Sequence, residues 1–321
     1  MLKSRIAVVL LSVFAAPCAT QAQDWPSRGP IRITVPFPAG GSTDLAARVV
    51  GEYLSREFGQ QVVVENKSGA NGNLGVESVA KSAPDGYTIL VGTDSVSSNP
   101  HIYKMNIDTQ KDLVPVVEVS RQPIALAAHP SLGIGSLAEL TALAKKQPGT
   151  RYATGSGVGS PQHMVVQWYA RLAGIQLEQV PYRGGGQAIN DLIAGHIKLG
   201  SLGTTPLIPY YRAGTLKLLA QSMSSRSPAL PDVPTFQEAG MKDLSVDQWI
   251  GVWVPAGTPS AIVVRLNVGI NKALRDEKIR KSFTDQAQEP VGGTSEAFAR
   301  LVRSDFEKYE RLVKELNIKT N

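Results

Sequence analysis

The chain has 321 residues, 42% of them hydrophobic, a formal net charge of +6 and a single cysteine, Cys18. That length suits two domains with cores large enough to stand without staples, and one cysteine excludes disulfide frameworks and Cys-based metal sites. Basic residues occur singly or in short pairs such as Lys145-Lys146, without the aromatic-interleaved stripe that nucleic-acid binding requires, so a nucleic-acid partner is set aside.

Residues 1–22 read as an export signal peptide. Lys3 and Arg5 form a basic start, Ile6 to Ala16 an apolar centre, and Thr20-Gln21-Ala22 a small-x-small cleavage site. The apolar run is too short to span a bilayer of roughly 30 Å, which takes about 20 helical residues. Pro17 ahead of Cys18 argues against a lipid-anchored start, and loss of Lys3 and Arg5 with the leader leaves a net charge of about +4. The expected product is exported and cysteine-free.

From residue 31 onward strand-like and helix-like patterns alternate, which predicts an α/β protein with largely parallel sheets. A strand at 31–35 leads to a helix with Leu45, Val49, Tyr53 and Leu54 inward, ended by Gly59. A strand at 62–65, a turn at 69–73, a helix over 75–81 and a strand at 87–91 follow. The extended stretches 114–119 and 124–128 are read as chain leaving one domain for another. There the pattern restarts: a helix over 137–146, a strand at 152–154, a helix with Met164, Val165, Trp168 and Leu172 on one face, an extended stretch at 179–182, and a helix over 187–194 opened by Gly184-Gly185-Gly186. The strand at 216–222 is read as able to carry the chain back. A proline-studded loop at 227–234, a strand at 249–254 and helices over 261–274 and 295–316 close the chain. This order predicts a first domain of residues 23–123 and 223–321, a second of 124–222, and a cleft between them that can close about a hinge.

Twice a strand-like run breaks into a Gly/Ser segment that opens a helix, at Ala39-Gly40-Gly41-Ser42-Thr43-Asp44 and at Gly155-Ser156-Gly157-Val158-Gly159-Ser160-Pro161. The first turn of a helix carries amides without intrahelical partners and the positive end of the helix dipole, and glycine admits a ligand close to the backbone. Two such ends facing one cleft clamp a carboxylated molecule. Asp44 opposes that charge and is read as a cap or a holder of water. Thr93 and Ser95 end the third strand, where open α/β sheets place ligand groups, with ordinary turn chemistry as the alternative. His163, one turn into the second helix, either touches the ligand or packs, and Arg183 either pairs with a carboxylate or lies on the rim.

The second loop is not a nucleotide fingerprint, because Ser160 stands where the last glycine of G-x-G-x-x-G belongs, and no P-loop lysine follows either loop. No cofactor is expected. His101, His129 and His196 are isolated, so no metal is expected. The rival reading is an exported hydrolase using Ser42 or Ser160, but there is no G-x-S-x-G elbow and no recognisable base beside either serine.

The segment Val35-Pro36-Phe37-Pro38-Ala39-Gly40-Gly41-Ser42-Thr43-Asp44 resembles the Bug-type solute receptors of tripartite tricarboxylate transporter systems. In order, so do Val63-Val64-Glu65-Asn66-Lys67, Gly69 to Asn73, Ala83 to Thr88, Gly157 to His163, Val180 to Gly184, Arg226 to Thr235 and Pro255 to Pro259. The resemblance implies a two-domain periplasmic binding protein of the type II, Venus-flytrap class, with two crossing strands as hinge. It also implies a small carboxylated ligand, a di- or tricarboxylate, an aromatic acid or an amino acid, held mainly by backbone amides for delivery to an inner-membrane permease or for signalling; a monomer is expected. The ligand-binding candidates are Phe37, Ala39, Gly40, Gly41, Ser42, Thr43 and Asp44 on the first loop, Ser156, Gly157, Val158, Gly159, Ser160 and His163 on the second, and Thr93, Ser95, Gly203 and Thr204 beside them; no catalytic residue is assigned. Lys198 stands where many members carry an acid, and the missing acid near Leu202 weakens the case for an ammonium-bearing ligand.

Overall fold

The computed structural model describes residues 25–319; the expected signal peptide lies outside them. In chain order the elements are β1 (Ile31–Val35), α1 (Ser42–Phe58), β2 (Val62–Asn66), α2 (Asn73–Ala80), β3 (Thr88–Thr93), α3 (Ser95–Ser98), β4 (Leu113–Ala128), α4 (Leu137–Lys146), β5 (Thr150–Thr154) and α5 (Pro161–Ala173). They continue with β6 (Leu177–Pro181), α6 (Gly185–Ile193), β7 (Leu199–Gly203), α7 (Ile208–Arg212), β8 (Lys217–Gln221), β9 (Asp247–Pro255), α8 (Ser260–Arg275), α9 (Glu277–Asp285), β10 (Glu289–Pro290) and α10 (Ser295–Glu315).

The strands form one hydrogen-bonded path, β2-β1-β3-β9-β4-β7-β5-β6, with β8 and β10 also paired to β4. The 16-residue β4 joins two half-sheets: residues 113–123 pair with β9, and residues 124–128 pair with β7 and β8. Within each half the βα units are parallel, as expected. The connecting strands β4 and β9 run antiparallel to their neighbours, so the sheet is mixed rather than largely parallel.

Alternation along the strands fills a core on each face. Ile89 and Val91 of β3 join Ile31, Ile33 and Leu54 under α1 and α8, while Leu90 faces Trp249, Trp253, Phe298 and Val302 under α10. In the second half, Ile124, Leu126 and Ala128 pack with Tyr152, Val165 and Tyr169, and Ala125 and Ala127 with Ala188, Leu192 and Leu202. Burial on both faces is what a βα-wound sheet requires.

One expectation for the chain path changes, and one helix is added. Strand β8 does not carry the chain back; Leu218, Leu219 and Ala220 are held in the second half by pairing with β4 and by its cores. Leu230 and Val233, then Phe236, Leu244 and Val246, also pack there, so the chain returns only at β9. The helix α9 was not foreseen; Asp276 starts it, its side chain accepting from the amides of Lys278 and Ile279.

Gly251 of β9 faces an aromatic cluster in which Phe298 lies 5.4 Å from Trp249 and 5.0 Å from Trp253, centroid to centroid. A Cβ at residue 251 would sit 2.0 Å from Phe298 Cζ. Gly251→Ala is expected to destabilise the protein by about 1–3 kcal/mol through overpacking. Gly29→Ala, with nothing within 4 Å of the new carbon, is expected to be near neutral. Urea unfolding of the two variants checks the contrast.

Candidate functional site

The C-terminal ends of β1, β3, β5 and β7 and the loops after them meet in one crevice, where open α/β sheets place ligands. A cavity of ≈ 50 Å³ there is lined by Phe37, Gly41, Ser42, Thr43, Asp44, Thr93, Ser95, Ser156 and Gly203, all expected, and also by Pro38, Gly155, Pro161, Gln162, Gly185, Leu202, Pro206 and Gln248. Next to it, a cavity of ≈ 400 Å³ shares Phe37 and Ser156 and adds Pro36, Ser68 to Gly72, Gly157, Pro181, Tyr182 and Arg183. The remaining expected residues lie outside the smaller cavity.

The first wall is the start of α1. Gly41 occupies its N-cap position with φ −87° and ψ 170°, and no side chain caps the helix, so the amides of its first turn are left open. Gly40 turns the chain there with φ +86°. Its amide donates to Asp44 Oδ2 at 3.0 Å, and Arg48 and Asn66 donate to the same carboxylate at 2.9–3.0 Å. Burial alone raises the Asp44 carboxyl; the bonds from Arg48, Gly40 and Asn66 outweigh it and hold the group below its ordinary value. Asp44 is thus neither cap nor bare charge but the brace of this loop. Ala39 and Gly40 are exposed outside the smaller cavity.

The second loop differs from the expectation. Ser160 caps α5, its hydroxyl accepting from the His163 amide at 3.3 Å, and Gly159 N donates to His163 Nδ1 at 3.0 Å. Gly155 N donates to Gln162 Oε1 at 2.8 Å, Gly157 N donates to Asn71 Oδ1 at 2.8 Å, and Val158 O accepts from Tyr103. Most of this loop's donors are therefore already used, and Ser156 is its expected member that lines the smaller cavity. The open terminus on this side is α6 instead: Gly184 is its N-cap, without a side-chain cap, and Gly185 lines the cavity. A Cβ on Gly155 would lie 2.8 Å from Gly185 N and Cα, so the bare backbone at residue 155 lets α6 approach.

Beneath the cavity lies a buried carboxamide cluster that was not foreseen. Gln122 Nε2 donates to Gln248 Oε1 at 3.0 Å, and Gln122 Oε1 lies within reach of Ser42 Oγ at 3.3 Å, Thr205 Oγ1 at 2.9 Å and Thr205 N at 3.2 Å. Gln288 Nε2 donates to Thr205 Oγ1 at 3.0 Å and its Oε1 accepts from Ser120. Thr204 sits in this layer, its hydroxyl 3.4 Å from Gln122 Oε1. Gly203 makes room for it, since a Cβ there would fall 2.4 Å from Gln248 Oε1. Thr93 and Ser95 bond each other at 2.9 Å. Between them, Asp94 accepts from Tyr309 Oη at 2.7 Å, and burial pushes its carboxyl up to about 8.

Among the described residues, the Ser42 hydroxyl donates to Gln122 Oε1 and the Ser160 hydroxyl accepts from the His163 amide. No helix among the described residues is long and apolar enough to cross a membrane.

A family model described as tripartite tricarboxylate transporter family receptor matches residues 46–318. The chain belongs to that family. Protein BugT of Bordetella pertussis is 35% identical to this receptor over 312 residues, covering 95% of this chain and 94% of BugT. Among solved structures, R. palustris Rpa4515 with adipate superposes with a TM-score of 0.88 at 32% identity, covering 92% of this chain and 99% of the other. MatC from Rhodopseudomonas palustris with bound malate superposes with a TM-score of 0.83 at 29% identity, covering 89% and 99%. The receptor's fold is accordingly the two-domain α/β fold of periplasmic binding proteins.

Burial lowers the His163 imidazole to about 4, and its Nδ1 accepts a bond that only the neutral ring can take. The folded value lies below the unfolded value of 6.5, so the unfolded chain binds the proton first as pH falls. The receptor is expected to lose stability between pH 6.5 and about 4 by this route. His163→Gln is expected to flatten the melting temperature over that window, read from paired wild-type and variant melts.

Proposed function

We propose that this receptor captures a small carboxylated solute in the periplasm and hands it to an inner-membrane permease of the tripartite tricarboxylate type. The observation that carries the reading is the convergence of two uncapped helix starts, α1 from one half of the molecule and α6 from the other, on one small cavity. One carboxylate of the solute sits in the ≈ 50 Å³ cavity and the rest of the molecule extends into the ≈ 400 Å³ cavity beside it.

In the smaller cavity the donors are main-chain amides of the first turns of α1 and α6, with the hydroxyls of Thr43 and Ser95 and the carboxamide nitrogens of Gln162 and Gln248. Among the described residues, no lysine or arginine lines it. Each helix terminus contributes about 0.3–2 kcal/mol and each charge-assisted hydrogen bond about 1.5–3 kcal/mol. A few together reach the roughly −8 kcal/mol of a micromolar complex once ordering costs are met. Because the donors come from both lobes, a solute touching all of them favours the closed molecule, with β4 and β9 as the crossing strands about which the lobes turn. The relatives solved with adipate and with malate support a carboxylate as the solute.

Ser42 is the first residue of α1, a position that accepts proline without loss of the helix. Ser42→Pro removes one amide donor and the hydroxyl, whereas Ser42→Ala removes the hydroxyl alone. For any acid found by thermal-shift screening of dicarboxylates, aromatic acids and amino acids, calorimetry is expected to show Ser42→Pro binding about tenfold or more weaker than Ser42→Ala. Equal affinities for the two variants would remove α1 from the site. Chemical turnover of the bound compound would remove the receptor reading altogether.

A further inference from the structure

Three consecutive residues of the second glycine loop are each engaged by a different group from the opposite lobe. Gly157 N donates to Asn71 Oδ1 at 2.8 Å. Val158 O accepts from Tyr103 Oη at 2.7 Å. Gly159, with φ +73°, receives Ile102 so closely that a Cβ there would lie 2.2 Å from Ile102 Cδ1. None of these six residues lines the small cavity in which the carboxylate is placed.

On the Asn71 side the geometry is held in advance. Ala70 and Asn71 both adopt positive φ, 47° and 54°, between Gly69 and Gly72, which do so as well. Such a run persists only where its surroundings fix it. Asn99 does so: its Nδ2 donates to Asn71 O at 2.9 Å and to Asn73 Oδ1 at 2.6 Å, and its Oδ1 accepts from Asn71 Nδ2 at 2.8 Å. With the amide half of the Asn71 carboxamide bound at home, its oxygen is left to cross to the other lobe. A neutral carboxamide oxygen thus takes the Gly157 donor that the sequence pattern offers to an anion.

We propose that Asn71 and Tyr103 are positioning residues that latch the two lobes together through the protein's own bonds, so that the closed form is populated before any solute arrives. Tyr103 lines neither cavity, and Asn71, which lines the larger one, has both halves of its carboxamide engaged by Asn99 and Gly157. The latch acts through the second loop, holding it against the first lobe, and a receptor that is partly closed in advance loses less of its intrinsic affinity to closure. This inference holds whichever compound is bound and does not depend on the carboxylate reading.

The test uses the solute-free protein. The chain's one cysteine, Cys18, is replaced by serine where the leader is retained, and spin labels are placed at Arg56→Cys on α1 and Ala142→Cys on α4, both exposed positions on opposite lobes. Bound solute is stripped by unfolding and refolding, and inter-label distances are measured by pulsed electron resonance. The latch predicts a substantial short-distance population in the parent. In Asn71→Ala/Tyr103→Phe the closed-to-open ratio is expected to fall roughly tenfold, the size expected for two neutral hydrogen bonds. Tyr103→Phe, which removes one oxygen atom, is expected to give part of that shift and decides the matter if the double variant does not refold. A parent found wholly at the long distance, or distributions unchanged by the substitutions, would overturn the proposal.

Discussion

A buried carboxamide must find partners for both its halves, and Gln122 meets that demand by joining elements that the chain path separates widely. It sits in β4 at the end of the β9 pairing, 1% exposed, and its side chain reaches Ser42 at the start of α1, Thr204 and Thr205 after β7, and Gln248 of β9. An unpaired donor or acceptor at such a depth costs about 1–3 kcal/mol, so each of these contacts constrains the others. Ser42 and Gly203, which belong to opposite walls of the crevice, are located with respect to each other by this group and by Gln288 behind it. The geometry of the crevice is thus set from below, by side chains of β4 and β9, before any ligand contact is considered.

The two glycine loops have become different objects despite their similar composition. At α1 the capping position is glycine, the carboxylate of Asp44 is turned back to brace the loop, and the first-turn amides remain open. At α5 a serine caps, a histidine nitrogen takes a second amide, a glutamine takes a third and the facing lobe takes a fourth. The open counterpart to α1 is α6, whose approach depends on the bare backbone of Gly155 against Gly185. One helix start on each lobe thus has no side-chain cap, while most donors of the loop between Gly155 and Ser160 are bonded within the protein.

Much of this was legible in the residues because it is local. The βα alternation, the Gly59 stop of α1, the 137–146 helix and the closing helix over 295–316 all follow from spacing and end signals read within a single element. What escaped is non-local. The return of the chain at β9 rather than β8 depends on which core receives Phe236 and Leu244, and the roles of Gln122, Gln248 and Gln288 exist only after three elements meet. The cap on α5 was within reach: Ser160 followed by Pro161 is the pairing of a capping hydroxyl with a first-turn proline, whereas Gly184 before Gly185 offers no such oxygen. The brace role of Asp44 also had a local sign, in Arg48 four residues on along the helix.

Open helix starts have an evolutionary consequence. A main-chain amide is present whatever side chain the codon specifies, proline apart, so drift in the surrounding sequence leaves the donors in place as long as the path of the chain is kept. On the proposed reading, selectivity and grip are then carried by separate parts of the molecule. If the solute is held as proposed, relatives that keep this path at 29–35% identity can differ around Tyr182 and Arg183 in the outer cavity without rebuilding the means of holding a guest.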